Sequence, residues 1–205
     1  MSEFVSQTMY EREPAKRVFA AELREASRTI RDTGDEKSPT YLLLPTGERC
    51  NRILIAGAIT DKSKAGDQNV QYRAKVSDPT GMFYISASSY QPEAMLQLAK
   101  IDTDMPSFVV VVGKPNTYTT PEGRVLVSVR AEAVQFVDRE TRDLWILDTA
   151  RATLDRVDAM FGADGAVSAD AALAKETYPQ KAEHWKKVVF DALSSAKSKG
   201  NDVIL

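Results

Sequence analysis

The residues of this chain that could do chemistry are basic and aromatic, not acidic or nucleophilic. Arg73 and Lys75 alternate along one segment, Tyr84 lies in the next, and Tyr90 follows it closely. Lys114, Tyr118, Arg124 and Arg130 recur downstream. Cations along a path with aromatic rings beside it suit a single-stranded nucleic acid, because the cations meet phosphates and the rings stack on bases. Plainer readings exist for single members: Tyr90 could cap the end of a barrel, and Tyr118 could be an ordinary loop residue. Taken together, the set favours binding.

Nothing points to catalysis. The single histidine, His184, stands beside Trp185 in an expected helix, where packing or simple exposure is the better reading. Asp102 and Asp104 lie where a loop leaves a helix, so a solvated loop is favoured over an acid–base pair. The sequence holds no phosphate-binding glycine loop, no dinucleotide glycine triplet and no paired-histidine metalloprotease motif. Cys50 is the only cysteine, which excludes an internal disulfide and a cysteine-based zinc site. The expectation is a protein with no enzymatic activity, metal or cofactor, acting through a surface.

With 205 residues, 43% hydrophobic and 27% charged, the chain is long enough for one sizeable domain with appendages. A net charge of −2 argues against a wholly basic nucleic-acid coat, but not against a local basic groove. Residues 40–137 carry ten Lys and Arg against nine Asp and Glu, and they alone are not net acidic. No apolar run approaches membrane-spanning length, and Met1-Ser2-Glu3-Phe4 does not open a leader pattern. The expected setting is therefore cytoplasmic, with no membrane partner.

The elements that must position the basic and aromatic residues are strands. Val70, Tyr72, Ala74 and Val76 alternate with Gln71, Arg73, Lys75 and Ser77, as in a half-buried strand. Asp78-Pro79-Thr80-Gly81 is turn chemistry, and Phe83, Ile85 and Ala87 continue the alternation beyond it. Before this hairpin, Arg52–Asp61 reads as a strand with Gly57 at its middle. A mid-strand glycine marks a bulge or bend where one strand serves two sheets. Gln91–Lys100 reads as a short helix with Pro92 early. Phe108–Gly113 and Arg124–Val134 read as strands, separated by a polar loop over Lys114–Gly123. Three strands, a short helix and two strands is the order of the five-stranded OB-fold barrel. The expected class is thus mainly β, an OB-fold barrel with an N-terminal helix and C-terminal helices.

At the N-terminus, Glu13-Pro14 opens an expected helix with Phe19, Leu23, Ala26 and Ile30 as its stripe. The segment Thr33–Pro39 reads as a linker or helix exit, and Tyr41–Leu44 as a short strand. After Asp138 the period becomes helical. Leu147, Ala150, Leu154, Val157 and Phe161 recur at spacings of 3 and 4, which is the pattern of an oligomerisation seam. The same stripe could instead pack on the chain's own barrel or on the last helix, around Trp185. The expected division is an N-terminal extension over 1–39, the OB domain over 40–138 and a helical region over 139–205.

The run Val76–Ala87, followed by Tyr90, resembles the second hairpin of the replication protein A family, in which an Asp-x-Thr-Gly turn leads to an aromatic. Pro14–Glu22, Tyr41–Arg49 and Asn51–Thr60 resemble the small, archaeal, replication-protein-A-associated subunit in particular. The resemblance implies single-stranded-DNA binding in replication, repair and recombination. It also implies assembly with a larger replication-protein-A-like subunit through the helix after the barrel. Base-stacking aromatics of the family's large subunits match Tyr90 and Tyr118. Those subunits carry a zinc ribbon, which a chain with one cysteine cannot form, so the resemblance implies an accessory subunit. Two other readings stay open: an assembly subunit whose barrel touches no DNA, and an RNA- or tRNA-binding OB protein.

Overall fold

The computed structural model describes residues 12–31, 38–67, 69–103, 105, 107–162 and 167–198. In chain order the elements begin with β1 (Lys16–Arg17), α1 (Ala20–Glu25), β2 (Arg28–Arg31), β3 (Thr40–Leu43) and β4 (Arg49–Cys50). Then follow β5 (Ile53–Ala65), β6 (Gln71–Asp78), β7 (Gly81–Ser88), α2 (Pro92–Lys100), β8 (Ser107–Thr119) and β9 (Val125–Val137). Three helices complete the described chain: α3 (Arg139–Phe161), α4 (Ala169–Thr177) and α5 (Ala182–Ser198).

The barrel closes because β5 serves two neighbours. Ile53–Ile59 pair antiparallel with β8, and Ala58–Ala65 pair antiparallel with β6. Gly57 stands at the changeover, and a Cβ there would lie 2.2 Å from the Ser77 carbonyl oxygen. Only glycine permits that approach. From β6 the sheet continues through β7, parallel to β9, and back antiparallel to β8. The second glycine with this role is Gly113, at the bulge between β8 and β9, where a Cβ would lie 2.5 Å from the Arg130 carbonyl oxygen. A closed five-stranded barrel with a helix between its third and fourth strands is the OB-fold. Its core comprises Ile53, Ile55, Val76, Phe83, Ile85, Leu98, Val109, Val111 and Val129, all buried.

Three departures from the expected elements matter. The N-terminal helix spans six residues, not the whole of the expected stretch from Pro14 to Ile30. Phe19 and Leu23 are buried as expected, but Ile30 lies on β2, pairing with Tyr41 of β3. β2, β3 and β4 form a separate three-stranded sheet. Second, β8 runs to Thr119, so most of the expected Lys114–Gly123 loop is strand, with Thr117 and Thr119 supplying β-branched residues. Third, α4 was not expected. Its Ala171 and Ala174 pack with Met160 and Leu43 over the small sheet. The expected helix exit at 33–37, Asp104, most of the expected turn after Phe161 and the chain end beyond 198 lie outside the described residues.

The three expected segments share one core. Val18, Phe19 and Leu23 before the barrel, and Trp145, Ile146, Ala150, Val189 and Ala192 after it, join the barrel residues in one cluster. Trp145 Nε1 donates to the Leu54 carbonyl at 3.1 Å, and its ring meets Phe19 edge-on at 5.8 Å. Tyr178 Oη donates to the Leu43 carbonyl at 2.8 Å and accepts from the Ser27 and Arg28 amides. A buried polar knot ties the layers together. The fully buried Glu22 carboxylate accepts from the Phe19 amide, Thr46 and Thr153 hydroxyls and Arg156 guanidinium, at 2.7 to 3.2 Å.

Candidate nucleic-acid interface

The outward face of the barrel is the polar phase of four strands. β6 contributes Gln71, Arg73 and Lys75; β7 contributes Met82, Tyr84 and Ser86. β9 contributes Leu126, Ser128 and Arg130; β8 contributes Lys114, Asn116 and Tyr118. The register brings them together. Lys75 stands opposite Tyr84 and Arg73 opposite Ser86. Tyr118 stands opposite Leu126, Asn116 opposite Ser128, and Lys114 opposite Arg130. The parallel ladder then sets Ser86 against Arg130. Residues more than forty positions apart in the chain thus share one surface.

Clefts on this face join into a path. One of about 530 Å³ lies over Arg73, Lys75, Tyr84, Asn116 and Ser128. It shares Tyr84 and Ser128 with a larger, more apolar cleft of about 700 Å³ that reaches Met82, Tyr118, Arg124 and Leu126. In the other direction, Asn116 leads to Lys114 and Arg130, which line a further cleft with Tyr90 and Arg12. The path is apolar and aromatic at one end and cationic at the other. Arg73, Tyr84, Lys114, Tyr118, Arg124 and Arg130 are exposed, and Tyr90 is 89% exposed; Lys75 is half-buried. Lys114 and Tyr118, expected on a loop, stand on a strand, which fixes their direction. Arg124 precedes β9 in the turn.

Charge along the path is partly spoken for. Lys75 Nζ lies 2.9 Å from Asp61 Oδ2. That hydrogen bond holds the Asp61 carboxyl below its ordinary range and the Lys75 ammonium above its own. A phosphate approaching Lys75 competes with Asp61. At the cationic end Glu132 is compensated by Arg52, with Nε to Oε2 at 2.8 Å. Arg73 donates to the Gln71 side chain at 3.3 Å. Among the described residues, Lys114, Arg124 and Arg130 form no ion pair.

The Asp-x-Thr-Gly turn has a structural task. Asp78 Oδ1 accepts from the Thr80 amide at 2.6 Å, the Thr80 hydroxyl at 2.8 Å and the Gly81 amide at 2.9 Å. Its Oδ2 accepts from the Ala20 amide at 2.8 Å, and Thr80 Oγ1 accepts from the Ala21 amide at 3.0 Å. The turn therefore holds the first turn of α1 against the barrel. Burial pushes the Asp78 carboxyl up to about 6, against the pull of these hydrogen bonds. Cys50 is buried, and burial pushes its thiol up to about 12, so it stays protonated. No cluster of His, Cys, Asp or Glu among the described residues could hold a metal ion.

The expected oligomerisation seam is not one continuous exposed stripe. Ala150 and Val157 are buried, Val157 beside Trp185 and Ala21, while Leu154 and Phe161 are half-buried against the chain's own clusters. Of the five, Leu147 is the exposed one, at 58%, and Leu144 and Phe190 are exposed beside it in sequence and on α5 respectively. The inner face of α3 takes in Trp145, Ile146, Thr149, Thr153 and Met160 along with Ala150 and Val157. Thr149 donates to the Trp145 carbonyl and Thr153 to Glu22, so two polar residues are buried where apolar counting does not look.

Sequence reasoning missed Met82, Leu126, Asn116, Ser128 and Arg24 as lining residues. Met82 and Leu126 carry a signal: each is a large apolar side chain on the outward phase of its strand. Arg24 reaches the site from α1. Its place off the apolar stripe, with Arg17, Arg28 and Arg31, is compatible with a DNA-touching arm, but the solvated-helix reading is the one the sequence favours.

No family model matches the chain, and no curated protein matches it. Solved structures do resemble it. The engineered binder OBody AM3L09, bound to hen egg-white lysozyme, is 15% identical with a TM-score of 0.40, over 62% of this chain and 98% of its own. The mitochondrial single-stranded DNA binding protein Rim1 of S. cerevisiae is 14% identical with a TM-score of 0.34, over 42% of this chain and 94% of its own. Yeast Stn1 and Ten1 give 12% identity and a TM-score of 0.38, over 63% of each chain. The barrel's strand order defines the fold independently of these likenesses. Among the described residues no helix is long and apolar enough to cross a membrane.

Proposed function

We propose that this protein binds single-stranded DNA across the outward face of its barrel, without catalysis, as an accessory subunit of an archaeal replication-protein-A-like complex acting in replication, repair and recombination. The observation that carries the binding is the continuous path from Met82 and Tyr118, past Tyr84 and Arg73, to Lys114, Arg130 and Tyr90. Exposed rings at one end, and at the other cations without an ion-pair partner among the described residues, share one continuous path, which offers a strand both base-stacking and phosphate contacts. Double-stranded DNA would present its phosphates but hide its bases from these rings.

Placement in a replication-protein-A-like complex rests on the four sequence stretches given above. A larger subunit would have to dock on exposed positions such as Leu144, Leu147 and Phe190, because the rest of the α3 stripe is covered within the chain. The test is an anisotropy titration of labelled oligo(dT), oligo(U) and duplex DNA with the chain alone and with any co-purifying partner. Tightest binding to oligo(dT) supports the proposal. Tighter binding to oligo(U) favours an RNA-binding OB protein. Binding that appears only with the partner, and is unaffected by Tyr84→Ala, favours an assembly subunit.

A further inference from the structure

The apolar end of the path is a pocket rather than an open platform, and its wall comes from α1. Leu23 and Arg24 line it together with Met82, Phe83, Tyr84, Tyr118 and Leu126. Arg24 lies close over Gly81: a Cβ built there would be 3.1 Å from its Nη1. The wall is held in place, because Asp78 and Thr80 take the amides of Ala20 and Ala21, and Leu23 is buried in the core. Four large side chains meet solvent in this one place: Met82, Tyr84, Tyr118 and Leu126. At about 700 Å³ the cleft falls within the range of sites that enclose small organic ligands, roughly 300–1,000 Å³.

Continuity decides what the pocket takes. It shares Tyr84 and Ser128 with the cationic cleft, so its occupant must pass from apolar to phosphate-binding surroundings within one residue. A nucleotide chain does this at every step. Two cations, Arg24 and Arg124, stand at the pocket beside the apolar floor.

We infer that this pocket receives a single unstacked nucleobase, between Met82 and Leu126, at the end of the bound strand where α1 blocks further passage. The inference rests on the proposed DNA binding and adds that one base position lies in an apolar cleft walled by α1 while the others lie along the cationic part of the path. Tyr84 and Tyr118 line the same cleft, and base–aromatic stacking contributes to binding sequence-independently, through the π-face every base has.

The test is an abasic scan. A single abasic site is moved along a short oligo(dT), and affinity is measured for the wild type and for Met82→Ser/Leu126→Ser. Both residues are exposed, and Leu126→Thr serves as a second variant that keeps strand propensity. Circular dichroism and thermal midpoints verify the folds. The wild type should lose roughly 5- to 150-fold at one end position of the scan. The variants should bind the intact oligonucleotide more weakly by a similar factor and lose the sensitivity at that position alone. A flat scan in the wild type, or variants that bind and scan like the wild type, overturns the pocket while leaving DNA binding intact. No binding to any oligonucleotide by the wild type overturns the proposed function and the pocket with it. Loss of a protein partner by the variants, with DNA affinity unchanged, assigns the pocket to protein docking and overturns the inference.

Discussion

Glu22 and Arg156 decide whether α3 is a fixed wall of this molecule or a helix free to join a partner. The Glu22 side chain is fully buried and that of Arg156 is 9% exposed. Their shortest N–O distance is 2.8 Å. Glu22→Ala removes the carboxylate and leaves the guanidinium with Glu48, 3.8 Å away, as its nearest remaining acid. It also orphans the Phe19 amide and takes the acceptor from the Thr46 and Thr153 hydroxyls, which keep only the hydrogen bonds they accept from Arg156. Removing one member of a buried pair costs about 3–5 kcal/mol. Against a total stability of about 5–15 kcal/mol, that is a large share. With a urea m-value of about 2–3 kcal/mol per molar, the midpoint should fall by roughly 1–2.5 M. In the cycle with Arg156→Met, the double variant should be less destabilised than the sum of the singles by about 2 kcal/mol. Far-UV circular dichroism in urea reads all four proteins. A cost below about 1 kcal/mol for Glu22→Ala, or an additive cycle, would refute the knot and return α3 to the candidates for a mobile assembly element.

The other predictions concern the face and the turn. Tyr84→Ala should weaken oligo(dT) binding by about 1–3 kcal/mol with stability unchanged, since the ring is exposed over the central cleft; equal affinities in anisotropy would remove it from the site. Asp61→Asn releases Lys75 from its 2.9 Å partner, so DNA affinity should rise a few-fold and the salt dependence steepen by about 0.7; weaker binding would mean that Asp61 orients Lys75 for the DNA. Asp78 has a folded value of about 6 against an ordinary 3.8. Its contribution to stability is therefore fully present below about pH 4 and lost as pH rises through 6, by about 3 kcal/mol in all. The profile of Asp78→Asn should lack this component, and profiles that stay parallel from pH 4 to 7 would contradict the raised value.

How much was legible in the sequence follows from how local each signal is. Strand alternation at Val70–Ser77, the Asp78–Gly81 turn and Gly57 are local, and they suffice for the order of the barrel strands. The outward phase of that alternation also gave Arg73, Lys75, Tyr84 and Arg130. Arg28–Arg31 is different. Its Ile30 fits a helical stripe with Phe19, Leu23 and Ala26, but pairing with Tyr41 in a second sheet decides its conformation. In α3, Thr149 and Thr153 are buried because their hydroxyls have partners, one of them Glu22, 131 residues away. That extends the covered face to one side of the expected stripe, so Ala150, Leu154 and Val157 are covered while Leu147 is left exposed. The walled cleft depends on Arg24 lining the same space as Met82 and Leu126, a convergence of three distant segments that no spacing encodes.

The central claim is that the cations of this face bind phosphates, and a salt series tests it most directly. Oligo(dT) affinity is measured over a range of salt concentrations for the wild type and for Arg73→Ala/Lys114→Ala/Arg130→Ala. Each phosphate contact to a single strand contributes about 0.7 to the slope of log affinity against log salt. The wild type should bind with a slope of about −2 to −3, and the triple variant should bind more weakly with a slope shallower by about 2. Equal slopes in the two proteins, with both folded, would contradict the account.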